Sequence, residues 1–454
     1  MQRTSTTILA WSSIVAMGGF LFGFDTAVIS GVEKSIQELF KLSPFWHGFT
    51  IASALIGTIV GALAGGVPAD KYGRKPVLIA IASLFLVSAV GSALAPSLLL
   101  FILFRFLGGI AVGASSVVAP MYISEIAPAS SRGRMTALFQ FDVIAGILVA
   151  YLSNYWLSNA GADAWRWMLG AGALPAAVNL LLLWLVPESP LFLIRSGKEE
   201  QAIDVLSRIY GDGAAFSLEG MGRQSRVEKG NLFSGKFSRP IALAFLVAAF
   251  NQFSGINAIL YYAPRIFELT GISSKEAFLQ PVMIGVTNAA STLLGMLVID
   301  KVGRKKLLIA GSIGMSVCLG LVARSFYLRD FEGYSLLILL VLYIVFFAFS
   351  TGAVIWVLIS EVFPASVRGQ GQSLGSFTHW FFAALITFVF PIIVEGSPLG
   401  AGHAFAFFSV MMLIQAITVW QFFPETKGKT LEELSSELSE RDGDEVVVGS
   451  ARTK

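Results

Sequence analysis

Charge is scarce in this sequence: Asp, Glu, Lys and Arg together make up 13% of 454 residues. That is too little to cover the surface of a water-soluble protein of this size. There is one cysteine, Cys318, so no intramolecular disulfide can form and cysteine usage says nothing about redox compartment. Histidine is nearly absent as well. His47, His379 and His403 lie far apart in sequence, and no metal-ligand cluster or nucleophile–base motif appears. Neither an enzyme nor a metal or other cofactor is expected. The net charge of +3 is uninformative by itself, and no nucleic-acid partner is expected.

What is abundant is apolar sequence, 55% of the chain, with a mean hydropathy of +0.73. It falls into roughly twelve runs of about 20 residues, the length that crosses roughly 30 Å of hydrocarbon. Their limits are 8–31, 47–67, 76–95, 98–122, 135–157 and 165–187, then 240–264, 278–299, 306–327, 335–360, 370–394 and 402–423. The first run is long for a signal-peptide core and no A-x-A site follows it, so it reads as a spanning helix. An all-α membrane protein follows. The expected organisation is a bundle over 1–187, a linker with short helices over 188–239, a second bundle over 240–424 and a tail over 425–454. In the tail, Leu431, Leu434 and Leu438 recur at helical spacing, and the remainder reads as disordered.

Twelve spans leave both termini on one side. By this division the loops on that side hold 24 of the 32 Lys and Arg. The opposite loops hold seven (Lys34, Lys41, Arg166, Arg265, Lys275, Arg324 and Arg329), and Arg105 lies inside a span. The positive-inside bias therefore places both termini and the linker in the cytoplasm.

The two halves also repeat one another. "DKYGRKPVLIAIAS" at Asp70 recurs as "DKVGRKKLLIAGS" at Asp300, and "SEIAPASSRGR" at Ser124 as "SEVFPASVRGQ" at Ser360. "PESP" at Pro187 recurs as "PETKG" at Pro424, so the offsets are 230, 236 and 237 residues. One six-helix unit has been duplicated, an arrangement suited to transporters that rock two bundles about a midplane site.

With these motifs in order, and with "RFLGGIAVG" at Arg105 and "NQFSGINAILYYAP" at Asn251, the chain resembles the sugar porter family of the major facilitator superfamily over nearly its whole length. The resemblance implies the major facilitator fold of twelve transmembrane helices in two six-helix repeats.

Asp70, Arg74, Lys75, Glu125 and Arg132 all fall at cytoplasmic helix ends, as do Asp300, Arg304, Lys305, Glu361 and Arg368 in the second half. Carboxylates there can bridge arginines of neighbouring helices, in places bidentately. With Glu188 and Glu425 they form an expected gating network, closing as the cytoplasmic side closes. The competing reading is that the cations only anchor topology, which the acidic partners are not needed for.

A sugar presents many hydroxyls and C–H faces, so its site needs amides and aromatic rings. Inside the spans stand Gln140, Gln252, Asn257, Asn288, Trp356, His379 and Trp380. Gln252 and Asn257 are five residues apart, about 140° around a straight helix. Only a break, expected at Gly255, brings them to one side. By resemblance Gln140, Gln252, Asn257, Asn288, Trp356 and Trp380 match sugar-contacting positions, Tyr261 a gate, and Phe20 and Phe22 cavity walls. Asn251 stands where the family commonly has glutamine, and His379 where better-known members carry an amide.

Asp25, in "FLFGFDTAVISG", is the remaining anomaly. A carboxylate at mid-membrane depth costs about 2.5–3.5 kcal/mol on insertion scales. Arg105, the only arginine deep in a span, is the expected partner. Burial favours the neutral acid and a guanidinium the carboxylate. An acid so poised can change its proton affinity as the cavity opens to a different side. By resemblance, proton symporters carry an acid here and many passive facilitators an amide. One charge crossing 100 mV is worth about 2.3 kcal/mol, enough for roughly 50-fold accumulation. Asp142, about 200° from Gln140 on its helix, is open between a second protonatable site, a partner for another polar group and a neutral buried acid.

The expected function is proton-coupled symport of a monosaccharide (hexose, pentose or related polyol) by alternating access. A facilitated uniporter is the alternative, and a non-transporting sensor a more distant one. The expected partners are the sugar, the proton and the lipid bilayer, the working form a monomer, and the location the inner (plasma) membrane.

Overall fold

The computed structural model describes residues 2–128, 131–210, 230–331, 333–364, 366–427 and 433, and among these every regular element is helical. Among the described residues, twelve helices are long and apolar enough to cross a membrane. They are α1 (Thr6–Gly31), α2 (Pro44–Ala64), α3 (Arg74–Leu94), α4 (Leu98–Ile126), α5 (Arg132–Leu157) and α6 (Ala164–Leu183). After the linker come α7 (Ser238–Tyr261), α8 (Glu276–Ile299), α9 (Arg304–Leu328), α10 (Ser335–Glu361), α11 (Arg368–Gly396) and α12 (Gly400–Phe422). The linker contains the short helices Pro190–Arg195 and Glu199–Tyr210. Residues 211–229 and the leucines 431, 434 and 438 lie outside the described residues.

The helix ends follow from local chemistry. The Ser43 hydroxyl accepts from the backbone N–H of Trp46 ahead of Pro44, and the Ser97 hydroxyl from that of Leu100, so α2 and α4 begin on capping serines. Exposed tryptophans mark the membrane borders: Trp156 at the end of α5, Trp167 and Trp184 at the two ends of α6, and Trp420 near the end of α12. An indole with one apolar and one polar edge suits the lipid–water boundary.

Two compact units are present. The first comprises Met1–Arg226, Ala258–Ala289 and Thr387–Pro391, and the second Val227–Asn257, Ala290–Ile386 and Ile392–Lys454. In the first, α1 packs on α5 through glycines: a Cβ at Gly19 or Gly23 would run into the carbonyl oxygens of Phe139 or Val143. Small residues allow the close backbone approach that holds helices together in lipid. In the second, α9 and α12 are stitched by reciprocal serines, Ser316 Oγ to Ser409 O at 2.8 Å and Ser409 Oγ to Ser316 O at 2.7 Å. Gln370, near the start of α11, receives the end of the linker, accepting from Leu232 N–H at 2.9 Å and donating to Gly230 O at 2.8 Å.

Candidate functional site

In the first unit α1 and α4 bring a partly buried acid and a buried base together. Arg105 Nη1 lies 2.5 Å from Asp25 Oδ1, and Nη2 donates to the Asp25 carbonyl at 3.3 Å. The guanidinium is buried and the carboxylate keeps 16% of its exposure. Tyr261, at the end of α7, adjoins this pair and Thr26. Phe22 packs on Phe139, the ring centroids 6.5 Å apart, and Phe20 stacks on Phe24. Gln140, Asp142 and Asn288 are half-buried in the same unit, and none makes a hydrogen bond or ion pair among the described residues.

The second unit holds a connected amide and aromatic cluster. The α7 helix stops at Phe253 and resumes at Ile256, with Gly255 between them at φ +82°. Only glycine adopts that conformation cheaply, and a Cβ there would strike the Phe408 ring. The break swings Asn257 round so that its Nδ2 donates to Gln252 Oε1 at 2.6 Å. Gln252 Nε2 donates to Asn251 Oδ1 at 2.8 Å, and Asn251 Nδ2 to the Thr351 carbonyl at 3.3 Å. The same Nε2 stands 3.1 and 3.2 Å from the two ring nitrogens of His379. Around that imidazole lie Trp356 and Trp380, with centroids 5.0 and 4.8 Å away. Trp356 is presented by a second interrupted span: α10 breaks at Ser350, whose backbone (φ −111°, ψ −98°) leaves the helical region.

At the helix ends, both copies of the repeated motif are built alike within their own units. Gly73 and Gly303 have φ of +103° and +100°, and a Cβ at either would collide with the carboxylate of Glu188 or Glu425. Among the described residues, no guanidinium ion pair of these two glutamates is seen. They cap helices instead: Glu188 accepts from the Arg74 and Lys75 N–H groups at 2.9 and 3.2 Å, and Glu425 from those of Arg304 and Lys305 at 2.9 and 3.2 Å. A carboxylate so placed satisfies orphan N–H groups and complements the helix dipole.

The guanidinium groups reach the other glutamates. Arg74 binds Glu125 through Nε at 3.0 Å and Nη2 at 2.8 Å and also meets Asp70 at 3.0 Å, while Arg304 Nη2 binds Glu361 at 2.9 Å. A hydroxyl completes each acid, Ser189 on Glu125 and Thr426 on Glu361. Arg132 makes no ion pair among the described residues, and Arg368 Nε donates to the Phe363 carbonyl at 3.3 Å. The side chain of Asp300 lies outside the described residues.

Sequence reasoning missed one buried group in the first unit. Glu33, at the start of the short helix Glu33–Leu39 that follows α1, meets His47 Nε2 of α2 at 2.8 Å and Arg265 Nη1 at 3.3 Å, and Arg265 also donates to Gln37 Oε1 at 2.6 Å. Lys34 pairs with Glu268 alongside at 2.7 Å. The available signal was that Lys34 and Arg265, two of the few cations on that side, each have an acid nearby in sequence, at Glu33 and Glu268.

Comparisons with known proteins agree with this architecture. Residues 11–438 match the family model described as "Sugar (and other) transporter". The chain is 36% identical to the D-xylose-proton symporter of Escherichia coli (strain K12), over 96% of each chain. It is 34% identical to the arabinose-proton symporter of Bacillus subtilis (strain 168), over 94% of each. Among solved structures it resembles the inward-open conformation of the xylose transporter XylE from E. coli. That likeness has a TM-score of 0.85 and 35% identity, covering 94% of this chain and 99% of that one. Motif order, two six-span repeats and a match over almost the full length agree, and this chain belongs to the sugar transporter family.

Proposed function

We propose that the chain is a proton-coupled symporter of a monosaccharide (a hexose, pentose or related polyol) working by alternating access as a monomer in the inner (plasma) membrane, both termini cytoplasmic. Asp25 carries the proton and Arg105 sets its affinity. The sugar is read by the amides of Asn251, Gln252 and Asn257 with His379, Trp356 and Trp380 giving ring faces. Gln140 and Asn288 are further proposed contacts, Tyr261 a gate and Phe22 a wall. The helix-end pairs around Glu125 and Glu361 act in gating. Curated relatives named as sugar–proton symporters support this reading.

The observation that carries it is the Asp25–Arg105 pair at 2.5 Å inside two spans. A purely structural role there would be met more cheaply by an amide than by two buried ions. The test is uptake of a radiolabelled sugar panel into proteoliposomes with and without an imposed pH gradient. Asp25→Asn is expected to abolish gradient-driven accumulation and sugar-driven proton uptake while sugar exchange continues. Full concentrative uptake by that variant removes Asp25 from coupling, whereas a parent chain whose uptake ignores the pH gradient returns the uniporter reading.

A further inference from the structure

Behind the Asp25–Arg105 pair, α3 and α6 leave a small cavity of about 20 Å³. Phe85, Ala89 and Ser92 of α3 and Leu169 and Gly172 of α6 line it, beside Asp25 and Arg105 themselves. A recess of that size holds one water, provided polar partners face it. They do. Arg105 Nε and Ser92 Oγ are buried and have no hydrogen-bond partner among the described residues, and Ser88 Oγ is in the same position. Ser88 lies one turn before Ser92, on the same face of α3. A Cβ added at Gly108 would collide with Ser88 Oγ and stand 3.6 Å from Asp25 Oδ1, so the hydroxyl and the carboxylate share one small space. Two buried, unpartnered groups on the lining, Arg105 Nε and Ser92 Oγ, with Ser88 Oγ one turn further along α3, are unusual in a folded protein unless something joins them.

We propose that this cavity is a built water site. One water accepts from Arg105 Nε–H and bonds the Ser92 hydroxyl, with Ser88 continuing the chain towards Asp25. Ser88 and Ser92 are thereby positioning residues, holding the guanidinium and its hydration so as to set how readily Asp25 takes a proton. Gly172 matters because a Cβ at that point would press on the Phe24 ring, which also lines the cavity. The charged and titratable groups bearing on Asp25 are Arg105 of α4 and Tyr261 at the end of α7. The faces of α3 and α6 that line the cavity carry none, and α5 meets α1 through Phe139, Val143 and Ile147, which do not titrate. This inference rests on the reading of Asp25 as the proton carrier.

The experiment is an infrared pH titration of the purified, lipid-reconstituted full chain, following the protonated-carboxyl band that Asp25→Asn removes. Ser92→Ala and Ser88→Ala are each expected to move its midpoint by at least about half a pH unit, and Ser92→Thr, which keeps the hydroxyl, to restore it. Ala89→Val, which fills the cavity without touching a polar group, should shift the midpoint as Ser92→Ala does. Sugar exchange at fixed pH should stay within twofold of the parent in the Ser92, Ser88 and Ala89 variants. A midpoint unchanged in Ser92→Ala and Ala89→Val, with the band present, overturns the water site and leaves the proton carrier standing. Absence of any titrating band lost in Asp25→Asn overturns both, and identifies the coupling assignment as the part that failed.

Discussion

The two copies of the helix-end motif share a blueprint and differ in depth. Each has a glycine at positive φ, a glutamate capping the following helix, an arginine on a second glutamate and a hydroxyl on that same acid. In the first repeat Arg74 and Glu125 keep 2% and 8% of their side-chain exposure, and in the second Arg304 and Glu361 keep 12% and 24%. Arg74 grips its glutamate with two nitrogens and donates as well to the Ala69 carbonyl at 2.9 Å. Identical motifs therefore do not carry identical energies. Water competes for the second pair, whereas the first is a desolvated pair that is costly to break.

Breaking it is the most direct challenge to that contrast. Glu125→Gln leaves Arg74 buried with its main counter-charge gone and is expected to destabilise the first repeat by about 3–5 kcal/mol. The measurement is thermal unfolding in detergent, and a shift equal to that of the second-repeat variant would end the comparison. Gly73→Ala forces a left-handed backbone on an L-residue and drives a methyl into Glu188, at an expected cost of about 1–3 kcal/mol. Denaturant titration checks it, and Gly303→Ala should behave alike because both glycines meet a capping acid. Glu361→Gln, in the wetter pair, is expected to cost about 1 kcal/mol by the same thermal assay. Smallest of all is Lys34→Ala. Its pair with Glu268 is half-exposed at the lysine, so the loss should be below roughly 1 kcal/mol and should vanish in high salt.

Much of the fold was legible because spans are local objects. Twelve apolar runs of membrane length are visible one at a time, and the α7 break could be placed at Gly255 because two amides five residues apart cannot share a face of a straight helix. The interruption of α10 at Ser350 has no such marker, since serine is ordinary inside a membrane helix. Pairing across long sequence separations was harder. The repeats displayed Glu188 and Glu425 beside basic motifs, and electrostatics alone suggested guanidinium partners. The backbone N–H groups that receive them are invisible in a side-chain pattern. Glu33 and His47 went unmatched because neither stands out until the short helix after α1 folds back on α2. The cavity behind Asp25 is lined in part by a residue with no side chain to show in a pattern, Gly172.

The chain of amides from Asn257 through Gln252 and Asn251 to Thr351 has a bearing on turnover. These groups already satisfy one another, so any visitor with hydroxyls gains only the difference between its own bonds and those it displaces. In the proposed function, where these amides read the sugar, grip is weakened accordingly, and departure is eased because the amides close their own bonds again behind the leaving molecule. A carrier must release what it takes up on every cycle, and a self-satisfied relay gives it a reason to let go.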